Sequence, residues 1–318
     1  MPVAGRDYPR TWEQFLDWFP DEAACVAYLE GLRWPHGFVC VRCGVADAAY
    51  RGSRGRWMCR HCRHQGTVTA GTVFEKTRTP LRSWLAAVWY VTNQKQGVTA
   101  LGLQRVLGLG SYQTAWAMLH RLRRAMVRHG RERLSGVVEV DEAFLGHRRR
   151  KSPGKRKKPG KQMLGTQVPV AIAVEVREPK GFGRARLRRI ADVTAVSLIP
   201  FVQDTVEPGS VVRTDGSAAY RKLPDHGYLR DRNVVMQADH PAHVALPGVH
   251  RVAALLKRWL LGTHHGAVQP HQLDYYLDEF TFRFNRRTSR SRGLLFYRLL
   301  EQAIVTDPLS YADIAGRR

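Results

Sequence analysis

The chain has 318 residues, which is enough for two or three domains. Apolar residues make up 44% of it, a typical value for a globular protein that argues against extended disorder. Lysine and arginine number 51 against 27 acidic residues, which gives a net charge of +24. Positive side chains in such excess repel one another on a folded chain, so the net charge predicts a polyanionic partner. Nucleic acid is favoured over an anionic membrane surface.

No apolar run approaches the roughly 20 residues that span a bilayer, and the N-terminal segment lacks the apolar stretch of a signal peptide. We therefore expect a cytoplasmic protein without membrane contact. In a reducing compartment, clustered cysteines bind metals more often than they form disulfides. The five cysteines of this chain are interpreted in that way.

Residues 1–35 carry aromatic and aliphatic side chains at mostly helical spacing, among them Trp12, Phe15 and Phe19. This pattern predicts an N-terminal helical segment, in which Cys25 is a core residue rather than a ligand.

Residues 36–75 are predicted to form a zinc ribbon. Two Cys-x2-Cys pairs lie within them, Cys40 with Cys43 and Cys59 with Cys62. Four thiolates at that spacing can surround one tetrahedral Zn²⁺ ion. So small a domain needs the metal, because its apolar core is thin.

Residues 76–130 are predicted to form a helix-turn-helix DNA-binding domain. One helix ends at a glycine, and Ser111 is placed to cap the next. The polar first turn of that second helix would face a DNA groove, so we expect Ser111, Gln113, Thr114 and Arg121 to contact DNA. An ordinary helical hairpin is the alternative reading of this pattern.

Residues 131–302 alternate β-like runs with helical ones, which predicts an α/β domain, with residues 303–318 as a C-terminal tail. Asp141 ends the first β-like run, and Asp215 ends the fourth. Carboxylates that project from neighbouring strands repel one another unless a cation lies between them, and oxygen ligands suit Mg²⁺ or Mn²⁺. Each aspartate taken alone is equally consistent with a loop residue.

Two further residues follow on a helical stretch. His250 and Lys257 are about two helical turns apart and therefore share one face of the helix. The segment 147–162, which contains Arg148, Arg149 and Lys155, is rich in basic residues, glycine and proline. It is predicted to be a solvated loop that contacts DNA phosphates, with a merely solvated charge run as the alternative.

The order of these features is similar to that of a known family. The cysteine pairs, the helix-turn-helix and the segments VEVDEAFLG, RTDGSAAY, LLKRWLLGTHHG and YYLDEFTFRFNRR resemble the zinc-ribbon insertion-sequence transposases of the IS1595 family, within the DDE superfamily. The resemblance covers roughly residues 10–300. It implies an α/β fold with an RNase H-like mixed sheet flanked by helices, preceded by the zinc ribbon and the helix-turn-helix.

The resemblance also implies a site. Asp141 and Asp215 match the two catalytic aspartates, which would hold two Mg²⁺ or Mn²⁺ ions, and Lys257 matches the family's lysine. His250 stands at the third ligand position, where the family usually has glutamate or asparagine. Imidazole binds Mn²⁺ more readily than Mg²⁺ and removes one negative charge. Glu279 is a rival third ligand and ranks below His250.

The activity implied by the resemblance is metal-dependent DNA cleavage and strand transfer at the terminal inverted repeats of an insertion sequence and at target DNA. Its partners would be DNA and further copies of the chain, as a homodimer or higher oligomer, in a bacterial or archaeal cytosol. Arg286, Arg287 and Arg290 would contact backbone phosphates.

Two other functions stay open at this point. A zinc-ribbon transcription regulator that has lost catalysis is favoured by His250, because decay would remove the acidic triad first. An RNase H-like nuclease would cut DNA without joining it. Both aspartates and Lys257 remain at workable spacing, which favours the transposase over the regulator.

Overall fold

The chain folds into two units. The computed structural model describes residues 2–46, 49–52, 55–128, 130–146, 167–177, 179, 181–232, 246–266 and 268–316. The first unit combines Met1–His129 with Thr288–Arg318, and the second is Gly130–Arg287. The predicted DNA-contacting residues Arg148, Arg149 and Lys155 lie outside the described residues.

The described elements are numbered here in chain order. The helices are α1 (Trp12–Trp18), α2 (Glu22–Arg33), α3 (Leu81–Asn93), α4 (Ala100–Leu107), α5 (Tyr112–Ala125), α6 (Ala195–Thr205), α7 (Pro247–His264), α8 (Leu273–Asn285), α9 (Arg292–Ala303) and α10 (Tyr311–Ala315). The strands are β1 (Ala49–Arg51), β2 (Trp57–Cys59), β3 (Gln65–Gly66), β4 (Val137–Leu145), β5 (Val168–Val176), β6 (Phe182–Arg189), β7 (Val211–Thr214) and β8 (Leu229–Arg232).

An aromatic cluster forms the core of the first unit. Phe15 and Phe19 from α1 and its C-terminal end meet Trp89 from α3 and Phe296 from α9, with ring centroids 4.9 to 6.1 Å apart. Phe15, Phe19 and Phe296 are each at most 1% exposed. The cluster joins α1 near the start of the sequence to α9 near its end. Because aromatic side chains bury large areas, it stabilises this contact.

The position of α9 differs from the predicted domain boundary at residue 302. Its apolar face, which includes Phe296, Leu299 and Leu300, is fully buried, and α9 packs against α2, α3 and α5. Space is tight where α9 begins, because a Cβ at Gly293 would lie 2.1 Å from the Pro9 carbonyl oxygen. The hydrophobic face of α9 thus completes the N-terminal unit rather than the α/β unit.

The second unit is built on a five-stranded mixed sheet in the order β6-β5-β4-β7-β8. β4, β5 and β6 pair antiparallel, whereas β7 and β8 run parallel to β4. Helices cover both faces. One face carries Ala143, Ile172 and Val174 beneath α7 and α8, and the other packs against α6.

This arrangement confirms the predicted α/β fold with a mixed sheet flanked by helices. Since both faces are covered, strands β4 and β5 are buried on both sides, as in other helix-covered sheets. Within the described part of the chain, no helix is both long and apolar enough to cross a membrane.

Candidate functional site

Two aspartates lie side by side where the interior strand β7 ends, next to the middle of the central strand β4. This end of the sheet is here called the edge of the site. β4 and β7 run parallel, and Glu139 is paired with Arg213. Asp141 is two residues beyond Glu139 on β4, and Asp215 is two residues beyond Arg213, just after β7 ends. The register therefore places Asp141 on β4 at the same level as Asp215, which directly follows β7.

The surroundings of Asp141 disfavour its charged form. Burial raises the pKa of Asp141, and the charge of Asp215 raises it further. The Glu142 backbone N–H, which donates to Asp141 Oδ1 at 2.8 Å, and the positive charge of His250 act in the opposite direction. Asp215 Oδ1 accepts a hydrogen bond of 2.9 Å from the Ser217 backbone N–H, which fixes its loop. A cation between the two carboxylates would relieve their repulsion.

Glu142 is a third carboxyl group at this edge, and the sequence analysis did not single it out. Tyr220, which is fully buried, donates its hydroxyl to Glu142 Oε1 at 2.6 Å. Burial raises the pKa of Glu142 to about 7, against the Tyr220 hydrogen bond and with help from the charges of Asp141 and Asp215. Its position directly after Asp141 in the sequence was the available indication.

Helix α7 carries His250 and Lys257. Its buried face consists of Gly248, Val249, Val252, Leu256 and Leu260. His250 is half-buried and Lys257 is exposed, and both lie along one flank of that face. His250 is close enough to the sheet for its charge to lower the pKa of both Asp141 and Glu139.

The three predicted metal ligands of the α/β unit are neighbours but do not form a closed ligand set. Among the described residues, the four ribbon cysteines form the group of at least three cysteine, histidine or acidic side chains whose ligand atoms all lie within 4.8 Å of one another. Asp141, Asp215 and His250 do not form such a group, so at least two of their ligand atoms lie more than 4.8 Å apart.

The rival ligand Glu279 has a structural partner. Its side chain is 2% exposed and pairs within α8 with Arg283, whose Nη2 lies 2.7 Å from Glu279 Oε1. Helix α8 packs against β6, which is two strands away from β4 in the sheet. This placement favours His250 over Glu279 as the residue beside Asp141.

The ribbon cysteines converge on one point. Cys40 Sγ and Cys62 Sγ are 3.6 Å apart, and Cys43 Sγ and Cys59 Sγ are 3.7 Å apart. A tetrahedron with Zn–S bonds of about 2.3 Å has edges of about 3.8 Å, so the four thiols fit one Zn²⁺ ion. β1, β2 and β3 form the small sheet that carries the second pair.

Each cysteine pair is followed by a left-handed residue. Gly44 has φ 71° and its N–H donates to the Cys40 carbonyl, and Arg63 has φ 60° and its N–H donates to the Cys59 carbonyl. Glycine adopts this conformation without strain, whereas a residue with a Cβ does not. The second turn of the ribbon is therefore strained at Arg63.

The predicted helix-turn-helix is present as two helices joined by a short turn. α4 ends at Gly108, which is left-handed with φ 62°, and Ser111 caps α5 by accepting from the Thr114 backbone N–H. Gln113 is exposed and its Oε1 accepts from the Ser111 hydroxyl at 2.8 Å. Arg121 is half-buried, and its Nε donates to the Leu309 carbonyl at 2.9 Å.

A polar cleft of about 250 Å³ lies beside the first turns of α5. Its lining includes Gln113, Thr114 and Arg121 together with two basic residues, Lys76 and Arg78, that the sequence analysis did not identify. Lys76 has φ 52°, a left-handed conformation that is uncommon for a residue with a side chain. The pattern alone gave no indication of these two residues, because they precede the helical run.

Two of the predicted phosphate-contacting arginines are engaged within the second unit. Arg286 Nη1 donates to the Phe282 carbonyl at 3.4 Å, and Arg287 Nη1 donates to the carbonyls of Gly183 at 3.1 Å and Phe284 at 2.9 Å. These bonds fasten the end of α8 to β6. Arg290 is exposed in the first unit.

Comparison with known families gave two matches in chain order. The transposase zinc-ribbon domain matches residues 20–65, and the ISXO2-like transposase domain matches residues 133–285. The chain is also 27% identical over 276 residues to an uncharacterized protein in transposable element ISH50 of Halobacterium salinarum, covering 83% of this chain and 91% of that protein.

Two solved structures show a remote likeness. The crystal structure of the Mos1 strand transfer complex is 14% identical, with 66% of this chain and 78% of that chain covered and a TM-score of 0.23. The Mos1 transposase paired-end complex with left transposon end is 14% identical, with 69% and 75% covered and a TM-score of 0.22. Values this low support no argument about the present chain.

Proposed function

The chain belongs to the IS1595 family of zinc-ribbon transposases, and on that premise we propose that it binds the ends of an insertion sequence, cleaves the DNA there and joins it to a target. The observation that carries this proposal is the position of Asp141 on β4 beside Asp215, which directly follows the neighbouring parallel strand β7, with His250 on α7 near Asp141. In both cleavage and joining, an oxygen nucleophile attacks a phosphodiester. The negative charge that develops during this attack has to be stabilised at the edge of the site.

The residues at this edge fit divalent cations. Asp141 and Asp215 offer carboxylate oxygens that repel one another, and His250 offers an imidazole nitrogen. In the proposal these three residues hold two Mg²⁺ or Mn²⁺ ions. When bound, such ions activate an attacking oxygen and stabilise the leaving one.

The protein's own side chains do the positioning. Ser217 holds the Asp215 carboxylate, and Tyr220 holds Glu142 beside Asp141. Lys257 is exposed on the same helix flank as His250, where its ammonium group is placed to bind a DNA phosphate. Arg230 donates to the carbonyls of Asp215 and Ser217, which keeps the loop after β7 in place.

The first unit is proposed to recognise DNA. Gln113 and Thr114 stand in the first turn of α5, where a recognition helix contacts base edges. Lys76 and Arg78 line the adjacent cleft and would bind the phosphate backbone. A zinc ion held by the four ribbon cysteines would stabilise the zinc ribbon itself. A complex that joins two element ends would contain at least two copies of the chain.

A strand-transfer assay with labelled element ends in the presence of Mn²⁺ or Mg²⁺ tests the proposal. Joined product supports the transposase. Cleavage without joining would make the protein a nuclease, and binding without cleavage would make it a regulator, the reading that His250 favours.

A further inference from the structure

Helix α7 is capped by a residue from a distant strand. Its own N-cap position is Leu246, whose side chain makes no capping hydrogen bond. Glu139 on β4 supplies the acceptor instead, because its Oε2 accepts from the backbone N–H of Gly248 at 2.7 Å and of Val249 at 3.0 Å. The first backbone N–H groups of a helix have no partner within the helix, so this carboxylate satisfies two of them.

The strand residue and the helix residues that this contact joins each lie next to a residue of the proposed site. Glu139 and Asp141 are two residues apart on β4 and so point to the same face of the sheet. At the other end, Val249 is followed directly by His250. One carboxylate therefore connects the strand that carries Asp141 to the helix turn that carries His250.

The packing around the contact is close. A Cβ at Gly248 would lie 2.9 Å from Glu139 Oε2 and 2.9 Å from the Phe182 ring. Any larger residue at position 248 would have to displace the carboxylate or the ring. Glycine at this position allows α7 to begin directly on the strand.

A contribution to the stability of the fold does not by itself explain why a carboxylate is buried at position 139. The residue is 0% exposed, and its Oε1 has no hydrogen-bond partner among the described residues. Burial raises the pKa of Glu139, against the two backbone hydrogen bonds and the charges of Arg213 and His250. A buried carboxylate with one unpaired oxygen is commonly no more stabilising than an apolar side chain of the same shape.

We propose that Glu139 is a positioning residue that fixes the start of α7 on β4 and so holds His250 beside Asp141. The purpose of this contact rests on the proposed function, whereas the contact itself does not. Glu139 touches neither DNA nor a cation in this account and acts through the helix that it caps.

Three variants test the role. Glu139→Gln keeps an oxygen acceptor, Glu139→Leu removes the acceptor at similar volume, and Gly248→Ala pushes the helix away while leaving Glu139 intact. Val138→Ala is the matched control, because Val138 is on the same strand, is fully buried and packs on the opposite face. Hydrogen exchange at the backbone amides of residues 248 and 249 and calorimetric binding of Mn²⁺ without DNA are measured for each full-length variant.

We expect Glu139→Leu and Gly248→Ala to raise exchange at both amides roughly tenfold, the change expected for loss of a helix cap. Both variants should also weaken Mn²⁺ binding at least roughly tenfold, because a ligand held in place loses less freedom on binding than a mobile one. Glu139→Gln should stay within about threefold of the wild-type protein in both measurements. Val138→Ala should lower the melting temperature and change neither.

Unchanged exchange and Mn²⁺ binding in Glu139→Leu would overturn the positioning role. Equal defects in Glu139→Gln and Glu139→Leu would also overturn it, since the charge and not the acceptor would then matter. If Glu139→Leu does not fold, normal exchange and Mn²⁺ binding in Gly248→Ala would overturn the role on their own. A wild-type protein that neither binds Mn²⁺ nor joins DNA would contradict the proposed function, while exchange at the two amides would still decide whether Glu139 fixes α7.

Discussion

Asp141 on β4 lies beside Asp215, which directly follows the parallel strand β7, and each is two residues beyond the paired residues Glu139 and Arg213. Helix α7 begins at the edge of the site, because Glu139 caps its first turn. The sheet register and this cap together determine how the two carboxylates and the His250 imidazole are placed relative to one another.

Cys40→Ser is expected to release zinc and unfold the ribbon, because three thiolates no longer complete the tetrahedral site and the apolar core there is small. The α/β unit should remain folded. Metal analysis and amide exchange check this outcome. Cys25→Ala is the control, since Cys25 is buried on α2 outside the ligand group, and it should keep its zinc. If wild-type protein that is purified in the absence of chelator contains no zinc, the account is contradicted.

Arg63→Gly is expected to stabilise the ribbon by about 1 kcal/mol, because glycine relieves the left-handed strain at φ 60°. Gly44→Ala, the corresponding change in the first turn, should destabilise it by a similar amount, since Gly44 has φ 71°. Competition for zinc by a chelator at equilibrium measures both. A lower zinc affinity in Arg63→Gly would show that the Arg63 side chain contributes more than its backbone strain costs.

The double variant Gln113→Ala, Thr114→Ala is expected to weaken binding to element ends by about 1 to 3 kcal/mol for each lost base contact, and to leave binding to random DNA nearly unchanged. Arg78→Ala is the matched comparison. Because it removes a phosphate contact from the same cleft, it should weaken both DNAs equally and reduce the salt dependence. Equal losses on both DNAs in the double variant would mean that α5 only positions the protein.

An ion pair between β5 and β6, formed by Glu175 and Arg184, offers a test by pH. Burial raises the pKa of Glu175, but the hydrogen bonds and charge of Arg184 outweigh it and hold the pKa below its usual value. Arg184 contributes its backbone N–H and its Nη2, each 2.7 Å from a Glu175 oxygen. A carboxylate with a lowered folded-state pKa stabilises the protein above its unfolded pKa of about 4.3, and that stabilisation is lost as the pH falls through the folded-state value.

Glu175→Gln is therefore expected to lose about 1 to 3 kcal/mol of unfolding free energy at neutral pH, a difference that should shrink below about pH 4. Denaturant unfolding at a series of pH values measures it. Asp204→Asn is the control, because its ion pair with Arg188 is exposed and should be worth at most about 1 kcal/mol. A difference between Glu175→Gln and wild type that is independent of pH would rule out the charge as its source.

The sequence was sufficient to predict the parts of the fold that have strong local patterns. The two cysteine pairs and the cap at Ser111 depend on neighbouring residues, and the structure shows the convergent thiols and the capped helix. The position of Asp215 after a β-like run is also as predicted, whereas Asp141 lies within β4, which continues to Leu145 rather than ending at Asp141. These features follow from spacing, which is visible in one sequence.

Features that depend on distant packing were not predictable in the same way. The alternation Val138-Glu139-Val140 is typical of a strand with one wet face, yet Glu139 is fully buried because α7 covers that face. The apolar face of α9 likewise does not reveal which core it joins, and Phe296 packs with Phe15 near the other end of the chain. Arg287 looked free to contact DNA but donates to backbone carbonyls of β6 and α8.

The most direct test is strand transfer by the wild-type protein and by Asp141→Asn, Asp215→Asn and His250→Ala, on labelled element ends with Mn²⁺ and then with Mg²⁺. The wild type should join DNA and use Mn²⁺ at least as well as Mg²⁺, because imidazole is one of the ligands. All three variants should bind DNA and form no joined product, whereas Glu279→Gln should still join it, since Glu279 is paired with Arg283. Joined product from Asp141→Asn, or an active His250→Ala together with an inactive Glu279→Gln, would contradict the account.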